Sequence, residues 1–501
     1  MNFKFSDLIW NDDITSIMQK FMLVLAVIFL PITTLPQRFA LSSIGLVLSY
    51  YPTLIGIFIF ISQLYKRKVK IEKRFIIFLV SYFIWQVICS FNGVINYEYY
   101  NLIQLEQMEN LSIILLYLKN HGVLLDESIA IKVWLFGRML KDSLRDILFG
   151  YFVSIWIMTL YRNNWKECFK NIRFGILILT IIFCCYSIIE VVYLNGNDVA
   201  AYLLKKINPF LYDPCSGRGW WPPLLWPGQL RSICEEPSFF GRIAAFNIPF
   251  LWSYFIEKLY IKYLLLYIIY VSLIFLTKAR TATLLFIGEI ILGSIFFVYF
   301  HKYFKQFIVI CMCSIIGFFV CLSSENIYNI RTRDGINTTK SYLSNNITSA
   351  IGDSRSNIAR NASAYAAANV VLKYPLFGVS EILNSAYLED NVPDWGYESL
   401  EVQQWSSGMF NDGVLRTSFP VIIEFLRKAV SFGLFGLILF LLPPLYIIKK
   451  CFNNSKCMDY CLGCSLISLI GVMASMLSSN VFFAYYIVIG LLLVYFESEN
   501  S

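Results

Sequence analysis

Long runs of Leu, Ile, Phe, Val and Tyr alternate with short polar interruptions along the chain. The apolar runs fall at roughly 20–36, 40–64, 74–95, 146–161, 174–195, 240–257, 262–277, 282–300, 304–322, 429–448, 459–478 and 480–496. Most approach the roughly 20 residues that an α-helix needs to cross a hydrocarbon layer of about 30 Å. Ten-residue strands of alternating polarity, the mark of a membrane barrel, are missing from the sequence. The pattern therefore predicts an all-α polytopic membrane protein with about twelve transmembrane helices, residues 1–501 forming one integral membrane domain. The first apolar run lacks a short apolar core followed by a small-residue cleavage site, so it reads as a retained helix.

Composition sharpens this. Hydrophobic residues make up 57% of the chain and charged residues 15%, which excludes an ordinary soluble domain. The short loops KRKVKIEKR (66–74), YRNNWKECFKNIR (161–173), EKLYIK (257–262), HKYFK (301–305) and KKCFNNSK (449–456) carry the basic clusters. With twelve crossings and a cytoplasmic N-terminus, all five fall on the cytoplasmic side, as the bias of Lys and Arg requires. The formal charge of +8 is then an orientation signal. A basic face interleaved with aromatics is lacking, so nucleic acid is excluded as a partner. The opposite side receives an amphipathic stretch, 96–145, in which Leu and Ile alternate with Glu106, Glu109, Asp126 and Glu127. It also receives a Trp-rich loop, 196–239, and a large polar loop, 323–428, between helices nine and ten.

Several charges on that outer side are not explained by topology. The stretch ICEEPSFFGR (233–242) sets Glu235, Glu236 and Arg242 at the mouth of an apolar helix, with Arg231 just before it. Lys278 and Arg280 lie in the turn LTKARTA, and Arg355 and Arg360 in DSRSNIARN. Guanidinium groups present a planar fork of donors suited to phosphate oxygens and keep their charge when partly buried. Basic groups from three loops on one face point to a polyanionic ligand, most simply a pyrophosphate. Structural readings stand beside this one: Arg231 or Arg242 pairing with Glu235 or Glu236, and Lys278 and Arg280 as snorkelling anchors. Trp220, Trp221 and Trp226, set among prolines, fit an interfacial aromatic belt or a sugar-stacking platform. Cys215 and Cys234 bracket that run; a disulfide and two free thiols both fit. The spacing of Cys and His carries no metal signature, and no cofactor is implied.

Four stretches together resemble the Wzy-type O-antigen and capsule polymerases, in the superfamily that also holds the O-antigen ligases. CEEPSFFGR resembles the Glu-Pro-Ser stretch at the start of a transmembrane helix in many polymerases. LTKARTATLL resembles the family's turn of Ser/Thr-x-Ser/Ala-Arg-Ser/Thr between two helices. SRSNIARNASAYAAANVVLKYPLFGVS resembles an Arg followed by a helix and Pro-Leu-Phe-Gly-Val-Gly, with Ser380 replacing the last Gly. EFLRKAVSFGLFGLILFL resembles the acidic entry and Gly-x-x-Gly of the helix after the large loop. The four span about residues 230–445 in order.

The resemblance implies a GT-C-like, metal-independent glycosyltransferase of the bacterial cytoplasmic (inner) membrane. Its substrates would be undecaprenyl-diphosphate-linked glycans, as donor and acceptor, with membrane lipid around them and a chain-length regulator as partner. Repeat units would be joined into O-antigen or capsular polysaccharide on the outer face. By resemblance Arg280 and Arg355 stabilise charge on the leaving diphosphate, with Arg231, Arg242, Lys278 and Arg360 as further contacts. An acceptor hydroxyl needs a base. Glu236 is the choice by position, since Pro237 fixes the backbone beside it; helix capping or pairing with Arg242 is its structural alternative. Glu235, Asp412 and Glu424 stay open for that role. The ligase branch uses a His in its large outer loop; here the histidines are His121 and His301, neither in that loop, which favours polymerase over ligase. A flippase for the same lipid-linked glycans is the reading from another class, disfavoured because the arginines gather in loops.

Overall fold

The computed structural model describes residues 12–41, 44–103, 105, 108–123, 125–162, 164–212, 229–299, 303–329, 355–416, 418–453 and 459–498. Every regular element among the described residues is helical. Helix α1, Asp12–Ile28, starts about eight residues before the predicted apolar run. It stops because Pro31 has no N–H to continue the ladder. The chain turns back there, with Leu35 N–H donating to Leu46 O at 2.8 Å and Leu48 N–H to Ile32 O at 2.9 Å. Helices α2 (Tyr50–Tyr65) and α3 (Lys73–Ile95) follow.

The predicted amphipathic stretch folds into α4 (Glu109–Asn120) and α5 (Glu127–Leu148). Asp126 caps α5 by accepting from Ile129 N–H at 3.2 Å. At Gly150 the helix breaks and resumes as α6, Tyr151–Leu160. Then come α7 (Trp165–Leu194), α8 (Asp198–Ile207), α9 (Pro237–Glu257), α10 (Ile261–Leu276), α11 (Arg280–Tyr299) and α12 (Phe304–Asn329). Within the large polar loop lie α13 (Arg355–Lys373), α14 (Asn384–Glu389) and α15 (Leu400–Asp412). The chain ends on α16 (Glu424–Asn453), α17 (Tyr460–Ser475) and α18 (Ala484–Ser498).

Seven helical segments among the described residues are long and apolar enough to cross a membrane: α3, α5 with α6, α7, α9, α11, α12 and α16. Five shorter apolar helices, α1, α2, α10, α17 and α18, accompany them. Large apolar side chains such as Phe58, Ile77 and Ile295 face outward, which suits a lipid solvent and no other. The chain is a helical membrane protein.

Polar contacts sort the helix ends into two sets. Arg74 pairs with Glu497, Lys20 with Glu167 at 2.6 Å and Arg173 with Glu257 at 2.6 Å, while Trp165 packs on Tyr495. These contacts gather helix ends beside the basic loops. At the other ends, Leu230 N–H donates to Leu276 O at 3.1 Å and Glu424 N–H to Met476 O at 3.0 Å. Helix α9, 21 residues or about 30 Å long, runs from one set to the other. Its packing is tight at the start: a Cβ on Gly241 would lie 2.4 Å from Ala282 of α11.

Two of the quoted stretches meet in space. Gly433 takes φ 68° and ψ 178°, kinking α16. Pro375–Ser380 docks into the kink: Val379 N–H donates to Val430 O at 2.8 Å, Ser380 N–H to Ser431 O at 3.1 Å, and Leu434 N–H to Pro375 O at 2.8 Å.

Candidate functional site

Pro237 supplies the first turn of α9, where a missing N–H costs nothing. Glu236 before it is extended (φ −135°, ψ 154°), and its carbonyl accepts from Phe239 N–H at 3.1 Å. Its side chain does not cap the helix; Ser238 Oγ donates to Glu236 Oε2 at 3.3 Å. The capping alternative is thereby set aside. Glu235 Oε2 accepts from Thr33 Oγ1 at 3.1 Å, which ties the helix mouth to the turn after α1.

Arg242 lies one turn into α9. Its guanidinium sits 4.9 Å from the Phe239 ring centroid and 5.1 Å from that of Phe482, and it donates to the Asn480 carbonyl. Two aromatic faces hold a planar cation in a fixed orientation. Arg242 Nε and the buried Ser49 hydroxyl have no hydrogen-bond partner among the described residues, an arrangement that an added ligand would complete.

These groups line a cavity of about 390 Å³ between the mouth of α9, the α1–α2 turn, α13 and the α17–α18 turn. Glu235, Glu236, Arg242 and Arg360 share it with Thr33, Ser49, Ser478 and Asn480. Tyr50, Phe239, Val481, Phe482 and Phe483 form its apolar wall. Beside it, Arg280 at the start of α11 donates to Asn357 Oδ1 at 3.3 Å, one turn before Arg360 on α13. Lost hydration, and then the Arg280 guanidinium, hold the pKa of Arg360 below the ordinary arginine value; Glu401 and Glu236 act the other way. Two like charges this close raise the free energy of the empty site, and an anion relieves it.

The remaining sequence-predicted residues fall elsewhere. Arg355 opens α13 two residues from Asn357, so Arg280 and the start of α13 do come together; the Arg355 side chain lies outside the described residues. Arg231 is 3% exposed, packs on the Tyr212 ring at 5.1 Å, and does not line the cavity. Its backbone N–H donates to Glu190 Oε1 at 3.2 Å and Ser232 N–H to Glu190 Oε2 at 2.7 Å, so this corner is a closed structural knot. Lys278, half-buried in the turn before α11, adopts φ 50° and is not a cavity residue. Trp220, Trp221, Trp226, Cys215 and His301 lie outside the described residues, and the Cys234 thiol is buried. His121 ends α4, where its Nδ1 lies 2.8 Å from Tyr117 O. Glu424, left open as a base, is fully buried and paired with Arg427 at 2.7 Å. Asp412, at the end of α15, does not line the cavity.

Sequence reasoning missed Thr33, Ser49, Tyr50 and the turn Ser478–Phe483. Their signal is faint: SSN, an uncharged polar break between two apolar runs. Among the described residues no group of three or more His, Cys, Asp or Glu is placed to hold a metal ion. Fold and site define a helical membrane protein with a cationic, aromatic-walled cleft at one end of the bundle. No protein-family model matches the chain, and no curated protein matches it.

Proposed function

We propose that the chain is a polymerase that joins undecaprenyl-diphosphate-linked oligosaccharide repeat units on the outer face of the bacterial cytoplasmic membrane. In this reading the twelve apolar helices cross the bilayer, the N-terminus is cytoplasmic, and the cleft opens outward. One observation carries it: Arg242, Arg280 and Arg360, from three separate helices, converge beside two carboxylates at a helix mouth. The guanidinium groups suit a diphosphate, and the wall of Tyr50, Phe239 and Phe482 suits the first isoprene units. An acceptor sugar hydroxyl attacks the anomeric carbon of the donor. The bond from that carbon to the diphosphate oxygen breaks, a glycosidic bond forms, and the hydroxyl proton passes to Glu236. The arginines stabilise the charge that builds on the departing diphosphate.

The test is incubation of the purified protein with one synthetic lipid-diphosphate repeat unit. A ladder of products is expected; a single product on a different acceptor indicates a ligase, and glycan that crosses a vesicle unchanged indicates a flippase. Arg280→Ala and Arg355→Ala are expected to abolish the ladder while leaving membrane insertion intact. Normal laddering in either variant removes that residue from the site.

A further inference from the structure

A second cavity, of about 610 Å³, shares no lining residue with the first. Trp134, Arg138 and Lys141 of α5 line it with Asn110 of α4 and Arg416, which follows α15. Spacings of four and three residues put Trp134, Arg138 and Lys141 on one face of α5, and the Arg138 guanidinium lies 5.6 Å from the Trp134 ring centroid. The depth of this face is marked by Phe136, which packs on Phe91 of α3 at 5.9 Å, one turn before α3 ends. The cavity therefore stands at the outer-end level where α3 leaves the apolar layer. Leu144, one turn deeper than Lys141, is 52% exposed and continues as apolar surface.

Snorkelling alone would account for two cations on α5. It does not account for a third, Arg416, arriving from a distant segment, or for the cavity between them. The carboxylates of α5 and its cap are engaged elsewhere: Asp126 caps the helix, Asp142 pairs with Arg145 at 3.2 Å, and Asp146 pairs with Lys428 at 3.0 Å. Among the described residues no carboxylate lines the cavity. Three cations facing one space without a carboxylate favour an anion there. A tryptophan at the bilayer boundary and apolar surface beneath place that anion on a lipid.

We infer that this cavity binds the phosphate-bearing headgroup of a membrane lipid, through Arg138, Lys141 and Arg416. The inference does not depend on the glycosyl-transfer reading. A polyprenyl diphosphate and an ordinary anionic phospholipid share the chemistry, and the experiment separates them. The full-length protein is reconstituted in phosphatidylcholine nanodiscs, and phosphatidylglycerol or undecaprenyl diphosphate is titrated in, with bound lipid read by native mass spectrometry. Arg138→Gln with Lys141→Gln is expected to weaken retention of one or both lipids by about 10-fold or more. Arg416→Gln, on a separate segment, is expected to act alike if α5 still folds. Arg242→Gln leaves this binding step unchanged. Loss confined to the diphosphate assigns the cavity to a polyprenyl lipid, and loss confined to phosphatidylglycerol assigns it to bulk lipid. Retention unchanged in both the double variant and Arg416→Gln overturns the inference. So does capture of a soluble acidic oligosaccharide in place of either lipid.

Discussion

Lys428→Met tests how the cleft is held. Lys428 is 1% exposed, with its Nζ 3.0 Å from Asp146 Oδ2 and 3.9 Å from Glu424 Oε1. At 3.0 Å and an effective dielectric of about 20, the attraction to Asp146 is about 5.5 kcal/mol. Desolvation of two charges offsets much of that, so the pair is a poor net stabiliser but an expensive thing to break. Without Lys428, Asp146 keeps Gln86 Nε2 at 2.9 Å and the Tyr82 hydroxyl at 3.4 Å, neither of them charged. The expected cost is about 3–5 kcal/mol, roughly 160- to 5,000-fold in the folded-to-unfolded ratio. Thermal unfolding of the detergent-purified protein, followed by tryptophan fluorescence, should show the midpoint falling by several degrees. Asp146→Asn combined with Lys428→Met removes both charges and keeps the Gln86 partner, so it should recover most of the loss. Ligand binding should follow, because the first turn of α16 is bonded to Met476, beside the Ser478–Phe483 wall of the cleft. A wild-type midpoint in Lys428→Met, or a double variant no better than the single one, refutes the reasoning.

Arg242→Ala should weaken binding of a lipid diphosphate by about 10-fold or more, measured by displacement of a fluorescent analogue. Arg242→Lys should fall between, since it keeps the charge but loses the flat stack between Phe239 and Phe482. Glu236→Gln should leave that affinity within about twofold while abolishing transfer; retained turnover would move the proton acceptor elsewhere. Gly433→Ala should lower the yield of folded monomer on size exclusion, because its Cβ would fall 1.9 Å from Leu376 O at a backbone angle that disfavours side chains.

Most of the architecture was legible along the chain. Each predicted apolar run overlaps a helix, because a bilayer leaves the backbone no other way to satisfy its hydrogen bonds. Boundaries were less legible. α1 runs earlier than its apolar peak because Asp12–Lys20 carries polar residues that find partners: Gln19 donates to Gln63 Oε1 at 3.0 Å and Lys20 pairs with Glu167. Glu235, Glu236, Arg242 and Arg360 stood out because charge beside grease is costly, and all four line one cleft. Arg231 carried the same signal and serves a different end, held against Tyr212 beside Glu190.

Local composition determined that this protein is a bundle of apolar helices with charges concentrated at one set of helix mouths. Hydropathy and charge are properties of a residue and its near neighbours, so they can be read in one dimension. Which cations face a shared space, and which are consumed by a private carboxylate, depended on packing alone. Arg242 meets Phe482 across 240 residues of chain and Lys428 meets Asp146 across 282, and an interaction that decays within a few ångströms leaves no trace in the spacing of its partners.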